Sequence, residues 1–243
     1  MLYSKLSIVI PVYNEINTIH EILRQVSAVE ISLEKEIILV DDCSIDGTRA
    51  VLEKIKNGEE QIPSVGPQKI NVIFHEQNAG KGGALRTGFR HITGDIMIVQ
   101  DADLEYEPQD YPKLIQPILD GEADVVYGSR FLGRRRPEGI LLSSFVANKV
   151  LTFISNVMSG MKVTDMETCY KVIKSSILRE IELTSDRFGI EPEITAKLAK
   201  RDVKLVEMPI EYHGRDHATG KKINWKDGLS AIYHIIRFNL RKG

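Results

Sequence analysis

Gly94-Asp95-Ile96-Met97-Ile98-Val99-Gln100-Asp101-Ala102-Asp103-Leu104-Glu105 is the stretch that decides how the rest of the chain reads. The apolar run from Ile96 to Val99, closed by Gln100, lacks polar alternation, as expected of a strand buried on both faces of a parallel sheet. It ends abruptly in Asp101-Ala102-Asp103, with Glu105 two residues further. Alternate residues of an extended chain point the same way, so Asp101, Asp103 and Glu105 are expected to converge at the strand's carboxyl end. Three hard oxygen ligands there suit Mg²⁺ or Mn²⁺, with positions left for water and phosphate oxygens. A lone DxD equally fits an acidic cap that solvates a loop, so its neighbours must decide.

Outward from this stretch, strand and helix alternate. Leu6 to Val12, Glu36 to Val40, Ile70 to Phe74 and Asp124 to Tyr127 are further buried strands. Helical spacing follows the first three, with Ile16, Ile19, Leu23 and Val26 on one face of the first helix and a Thr18/Glu21 capping box at its start. Four alternations with short joints predict an α/β fold, a mostly parallel sheet covered on both faces. Ligands of such sheets bind beyond the carboxyl ends of the strands. Those ends read Tyr13-Asn14-Glu15, Asp41-Asp42, Lys81 in the turn Gly80-Lys81-Gly82-Gly83, Asp101-Ala102-Asp103 and Arg130. All are polar or charged, and an acidic cluster beside isolated cations fits a nucleoside diphosphate with a divalent ion. Asp41 or Asp42 would meet base and ribose, and Lys81 at a helix start would meet phosphate charge.

The 243 residues are 42% hydrophobic and 27% charged, with a net charge of −2. This is the composition of a soluble globular protein, and it gives no reason to expect a nucleic-acid partner. Cys43 and Cys169 lie far apart without a CxxC, which argues against a disulfide framework or zinc site and fits a reducing compartment. Met1 to Lys5 lacks a signal-peptide layout, and Ile140 to Met158 is interrupted by Ser143, Ser144, Asn148, Lys149, Ser155 and Asn156, too polar for a span. A cytoplasmic protein, peripheral at most to the cytosolic membrane face, is expected. Between Arg215 and Lys242 there are seven Lys or Arg and two Asp, a basic amphipathic end that can lie on an anionic surface or pack on its own domain. The Arg134-Arg135-Arg136 run can meet lipid phosphate or be a solvated loop.

The ordered motifs Pro11-Val12-Tyr13-Asn14-Glu15, Val40 to Thr48, Asn78 to Gly83, Asp101-Ala102-Asp103, Gly128-Ser129-Arg130, Asp165 to Lys171 and the Arg215/Lys221 loop together resemble family 2 glycosyltransferases of the GT-A fold. Within that family the chain looks most like the dolichyl- or polyprenyl-phosphate mannose and glucose synthases. The resemblance spans nearly the whole chain and implies one domain over 1–243, with a nucleotide-binding half at 1–130 and an acceptor half at 131–243. It implies inverting transfer of a hexose from GDP-mannose or UDP-glucose to a polyprenyl phosphate. By position, Pro11, Tyr13, Glu15, Asp42, Lys81, Asp101 and Ala102 would hold the nucleotide sugar, with Asp41 beside them. Asp101 and Asp103, with Glu105 less firmly matched, would hold the metal; Arg130, Arg215 and Lys221 would meet phosphates. Asp165 matches a family aspartate beside the reaction centre. It would be general base toward a hydroxyl, or would orient the sugar or metal shell when the acceptor is already a phosphate anion; a plain helix or strand cap is the third reading. The Arg215 to Lys222 loop is longer than the family's compact pattern, which leaves open a soluble or protein-bound hydroxyl acceptor. A non-catalytic nucleotide-sugar sensor is the non-enzyme alternative, and the intact acidic set stands against it.

Overall fold

The computed structural model describes residues 3–133, 139–214 and 225–240. Five strands follow the order expected from the apolar runs: β1 (Lys5–Val12), β2 (Glu34–Asp41), β3 (Gln68–Phe74), β4 (Ile96–Val99) and β5 (Val125–Ser129). Between them come α1 (Ile19–Ala28), α2 (Thr48–Lys56), α3 (Gly80–His91) and, after a 3₁₀ turn at Pro108–Asp110, α4 (Tyr111–Leu119). The second half adds α5 (Leu142–Ser159), β6 (Lys171–Lys174), α6 (Ser175–Arg179), α7 (Ile190–Ala199), β7 (Leu205–Pro209) and α8 (Trp225–Leu240).

Among the described residues the strands form a seven-stranded sheet in the order β3-β2-β1-β4-β6-β5-β7. β1 pairs in parallel with both β2 and β4, so strand order reverses around it, and the crevice beyond the ends of β1 and β4 is where such sheets bind ligands. Ile96, Met97 and Ile98 are fully buried and Val99 nearly so. A strand covered on both faces gains about 1.5–3 kcal/mol per large aliphatic side chain, which is why its sequence shows no alternation.

β6 departs from the parallel pattern, running antiparallel to β4 (Met97 opposite Ile173) and to β5 (Val126 opposite Val172). Because it runs against its neighbours, its beginning lies at the rim where β4 and β5 end. That inversion carries Asp165, Glu167 and Lys171 toward Asp101 and Arg130. The expected capping box at α1 does not form. The Thr18 hydroxyl donates to the Glu15 carboxylate at 2.8 Å instead and makes no cap bond to the helix.

Candidate active site

The first two loops of the rim are stitched together. Asn14, with φ 55°, donates its N–H to Ser44 Oγ at 3.0 Å and accepts from the Ile45 N–H at 2.9 Å. Asp46 accepts from the Ile16 N–H and from both the N–H and hydroxyl of Thr48. Burial opposes the charge of Asp46, but these bonds hold its carboxyl below the ordinary value. Pro11 lies within β1 opposite Val40, while Tyr13 stands 38% exposed at the mouth of the crevice.

The paired aspartates divide their work. Asp42 Oδ1 accepts from the Ala79 N–H and faces His75 Nδ1, both at 2.8 Å; Oδ2 accepts from the Gly80 N–H at 2.7 Å. Asp42 therefore anchors the turn into α3. Asp41, fully buried, accepts one long bond from the Ser44 N–H on Oδ1, and its Oδ2 has no hydrogen-bond partner, with Arg49 at 3.6 Å. The Arg49 guanidinium offsets the charge of that buried oxygen.

The glycine turn is not an open phosphate cradle. The Gly83 N–H donates to the Asp186 carbonyl at 2.9 Å, and a Cβ on Gly82 would run into the backbone of Ser185, Asp186 and Arg187. These glycines let the 185–187 segment lie against the start of α3. Lys81 leaves that turn for the crevice, where its Nζ lies 2.8 and 3.0 Å from the two oxygens of Asp101 and 3.4 Å from Glu191 Oε1. Burial works against the ammonium, but the surrounding charges, Asp101 foremost, hold its pKa well above the ordinary lysine value.

The three acidic residues after β4 do not converge as alternation predicts. Extended backbone stops at Val99, and residues 102–104 turn, with Leu104 at φ 64°. Asp101 faces Lys81. Asp103 Oδ1 accepts from the Glu105 N–H at 3.2 Å, and Glu105 Oε2 accepts from the Tyr212 hydroxyl at 2.6 Å. Among the described residues no three acidic, His or Cys side chains are gathered as a metal-binding group. Asp101 and Asp103 remain a hard-oxygen pair that fits Mg²⁺ or Mn²⁺ once diphosphate oxygens complete the shell; Glu105, turned to Tyr212, does not fit with them. Ala102 is buried between them. Beneath, Gln100 accepts the hydroxyls of Tyr111 and Tyr170 at 2.6 and 2.7 Å and donates to the Asp101 carbonyl at 2.9 Å, which fixes the strand's exit.

Arg130 and Asp165 also differ from expectation. Their guanidinium and carboxylate form a bidentate pair at 2.7 and 2.8 Å, the Arg130 N–H adds a third bond, and Asp165 has no exposed surface. The guanidinium lies 5.2 Å from the centroids of both the Phe131 and Tyr212 rings. Burial disfavours its charge, and Asp165 outweighs burial, so its pKa is held well above the ordinary value. In this arrangement both Asp165 oxygens are engaged by Arg130, and the guanidinium is nearly buried. Arg215 and Lys221 lie outside the described residues, as do Arg134 to Arg136.

Glu191, Lys171 and Glu167 complete the crevice; the latter two lie in the Asp165 to Lys171 motif, but the sequence assigns none of the three a role. Lys171 Nζ donates to Glu191 Oε2 at 2.5 Å and to the carbonyls of Met166 and Thr168, while Glu191 Oε1 has no hydrogen-bond partner. A row of alternating charge thus runs Asp101, Lys81, Glu191, Lys171. Glu167 Oε1 is likewise buried without a hydrogen-bond partner; burial first, then the negative Glu191 nearby, push its carboxyl up to about 7. The signals available in the sequence are a lysine inside the short apolar strand of β6 and glutamates flanking Pro192 in the first turn of α7. Cys169 is buried, and burial pushes its thiol well above its ordinary pKa.

Residues 7–182 match the family described as Glycosyl transferase family 2. The UDP-N-acetylglucosamine–dolichyl-phosphate N-acetylglucosaminyltransferase of Methanococcus voltae is 27% identical over 244 residues, covering 97% of this chain and 96% of that protein. The undecaprenyl-phosphate mannosyltransferase of Micrococcus luteus is 27% identical over 96% of this chain and 93% of its own. The dolichol-phosphate mannosyltransferase of Pyrococcus furiosus is 28% identical over 96% of this chain, which spans 63% of that longer protein. Glucosyl-3-phosphoglycerate synthase from Mycobacterium tuberculosis, in complex with Mn²⁺, UDP and glucosyl-3-phosphoglycerate, has the same GT-A fold, with a TM-score of 0.66 at 19% identity over 99% of this chain and 81% of its own.

Proposed function

Because the chain belongs to glycosyl transferase family 2, we propose that it moves a sugar from a nucleotide donor to a polyprenyl phosphate, with Mg²⁺ or Mn²⁺ held by Asp101 and Asp103. The observation that carries this reading is similarity along almost the full chain to transferases named for dolichyl and undecaprenyl phosphate. GDP-mannose, UDP-glucose and UDP-N-acetylglucosamine are the donors to try first.

The nucleotide lies across the crevice between the ends of β1 and β4. Tyr13 offers a ring at its mouth, and the end of β2 at Asp41 and Asp42 borders the side where base and ribose lie. A divalent ion beside Asp101 would offset diphosphate charge as the nucleotide leaves. Lys81, now paired with both Asp101 oxygens, turns to a phosphate oxygen while Glu191 keeps its ammonium in place. The acceptor needs no strong base, since a phosphate monoester with a second pKa near 6 is already an anionic nucleophile at neutral pH. Asp165 is then a positioning residue for Arg130, whose guanidinium braces the aromatic wall of the crevice.

The test is incubation with Mg²⁺ or Mn²⁺, each labelled donor, and a detergent-dispersed polyprenyl phosphate. Metal-dependent passage of label into the organic phase supports the reading. Label that reaches only water-soluble acceptors, or none, overturns it.

A further inference from the structure

α5 is an unusual helix for a globular surface. Its inward side buries Leu151, Thr152 and Ser155. Its outward side presents Leu142, Val146, Val150, Phe153 and Val157, with Phe153 68% and Val157 67% exposed. At 100° per residue these five fall within one narrow stripe. Lys149 is the only charged residue in its 18 positions. That ammonium is turned aside, 4.6 Å from the Phe131 ring centroid and 3.4 Å from the Thr164 carbonyl. α8 packs against α5 and α7, and it too leaves an apolar stripe in solvent, Leu229, Tyr233, Ile236 and Leu240. Between Gly228 and Leu240 its one permanent charge is Arg237. Exposed apolar stripes on two packed helices exceed what scattered surface hydrophobics explain.

We propose that the outward stripe of α5, with that of α8 beside it, seats the protein on an anionic lipid surface, lying along the bilayer rather than crossing it. Among the described residues no helix is long and apolar enough to cross. Charge favours lipid over a second copy of the chain. Although the whole chain carries −2, residues 142–159 and 228–240 contain no Asp or Glu, and their two permanent charges, Lys149 and Arg237, are both positive. A two-fold interface would set this one-signed face against its own copy, whereas anionic headgroups complement it. The stripe is also continuous with the crevice. Phe145 of α5 meets Phe131 edge-on at 5.3 Å, and Phe131 directly follows Arg130. This inference rests on the polyprenyl-phosphate reading, because an acceptor anchored in lipid must be met at the bilayer.

Flotation of the full chain with phosphatidylglycerol-containing vesicles and with phosphatidylcholine alone tests it, alongside ultracentrifugation without lipid. The wild type should float with the anionic vesicles, and Val150→Ser/Phe153→Ser/Val157→Ser should lower partitioning at least about tenfold, as expected for three apolar side chains removed from lipid. Phe153→Trp, compared with the wild type's single Trp225, should add blue-shifted emission on vesicle addition, a readout independent of the triple variant's folding. A wild type that stays at the bottom, a triple variant that floats equally, or a Phe153→Trp variant whose emission moves no more than the wild type's would overturn the proposal. So would a dimer that the triple variant converts to monomer, which would assign the face to a second copy. Failure of the acceptor reading is seen separately, as no transfer to detergent-dispersed polyprenyl phosphate despite intact flotation.

Discussion

Asp165→Asn is the substitution that separates a base from a brace. Asp165 is fully buried and bonds Arg130 through both carboxylate oxygens, so the isosteric amide removes the charge and turns an N–H₂ toward a guanidinium that is itself nearly buried. Breaking a buried ion pair by neutralising one partner costs about 3–5 kcal/mol, because the remaining charge stays desolvated. For a chain of this size each kcal/mol moves the melting temperature by roughly 2–4 °C, so a fall of about 6–20 °C is expected. Thermal unfolding followed by circular dichroism reads it directly. Arg130→Met/Asp165→Leu, which removes both charges, should recover most of the loss, and the non-additivity of the cycle isolates the pair. Transfer to a phosphate acceptor by the surviving folded fraction should stay within an order of magnitude of wild type. An Asp165→Asn protein that melts like the wild type yet has lost turnover would refute this reasoning and restore the general-base role.

Further expectations concern the same crevice. Asp101→Asn should weaken Mn²⁺-dependent binding of a nucleoside diphosphate at least about 10-fold in calorimetry, since losing even an outer partner of a metal costs that much; undiminished binding would take the metal away from this turn. Glu167 has a folded-state pKa of about 7 against 4.5 for an ordinary glutamate, so the native state keeps a proton that the unfolded chain releases. Stability should therefore fall as pH rises from about 4.5 to 7 and level off above. Glu167→Gln should flatten that fall and stabilise the protein at pH 8 by on the order of 2–3 kcal/mol in urea titrations, and an unchanged profile would contradict it. Gly82→Ala drives a methyl into the 185–187 backbone and should cost about 1–3 kcal/mol with faster tryptic cleavage at Arg187, whereas Gly228→Ala, with open space around it and no left-handed φ, should leave cleavage unaltered.

The five strands named from their apolar runs lie where the sequence puts them, because a doubly covered strand must be apolar throughout. The polar rim at their ends was legible for the same reason. The antiparallel direction of β6 and its place between β4 and β5 were not, since neighbours on both sides set them rather than local pattern. Pairings across large separations were equally hidden. Nothing in Asp101-Ala102-Asp103 announces Lys81 as its partner, nor does Arg130 announce Asp165. The alternation rule failed after β4 because the extended chain stops at Val99 and residues 102–104 turn, with Leu104 in a left-handed conformation. The duties of Asp41 and Asp42 could be told apart only when their donors were seen.

Tyr106 and Tyr212 form an isolated antiparallel bridge, and three more ties reinforce it: His213 N–H to the Glu105 carbonyl, the Tyr212 hydroxyl to the Glu105 carboxylate, and the Glu211 N–H to Asp110. Segments a hundred residues apart are thereby riveted into one plate. A displacement of the turn at residues 105–110 would therefore carry Glu211, Tyr212 and His213 with it.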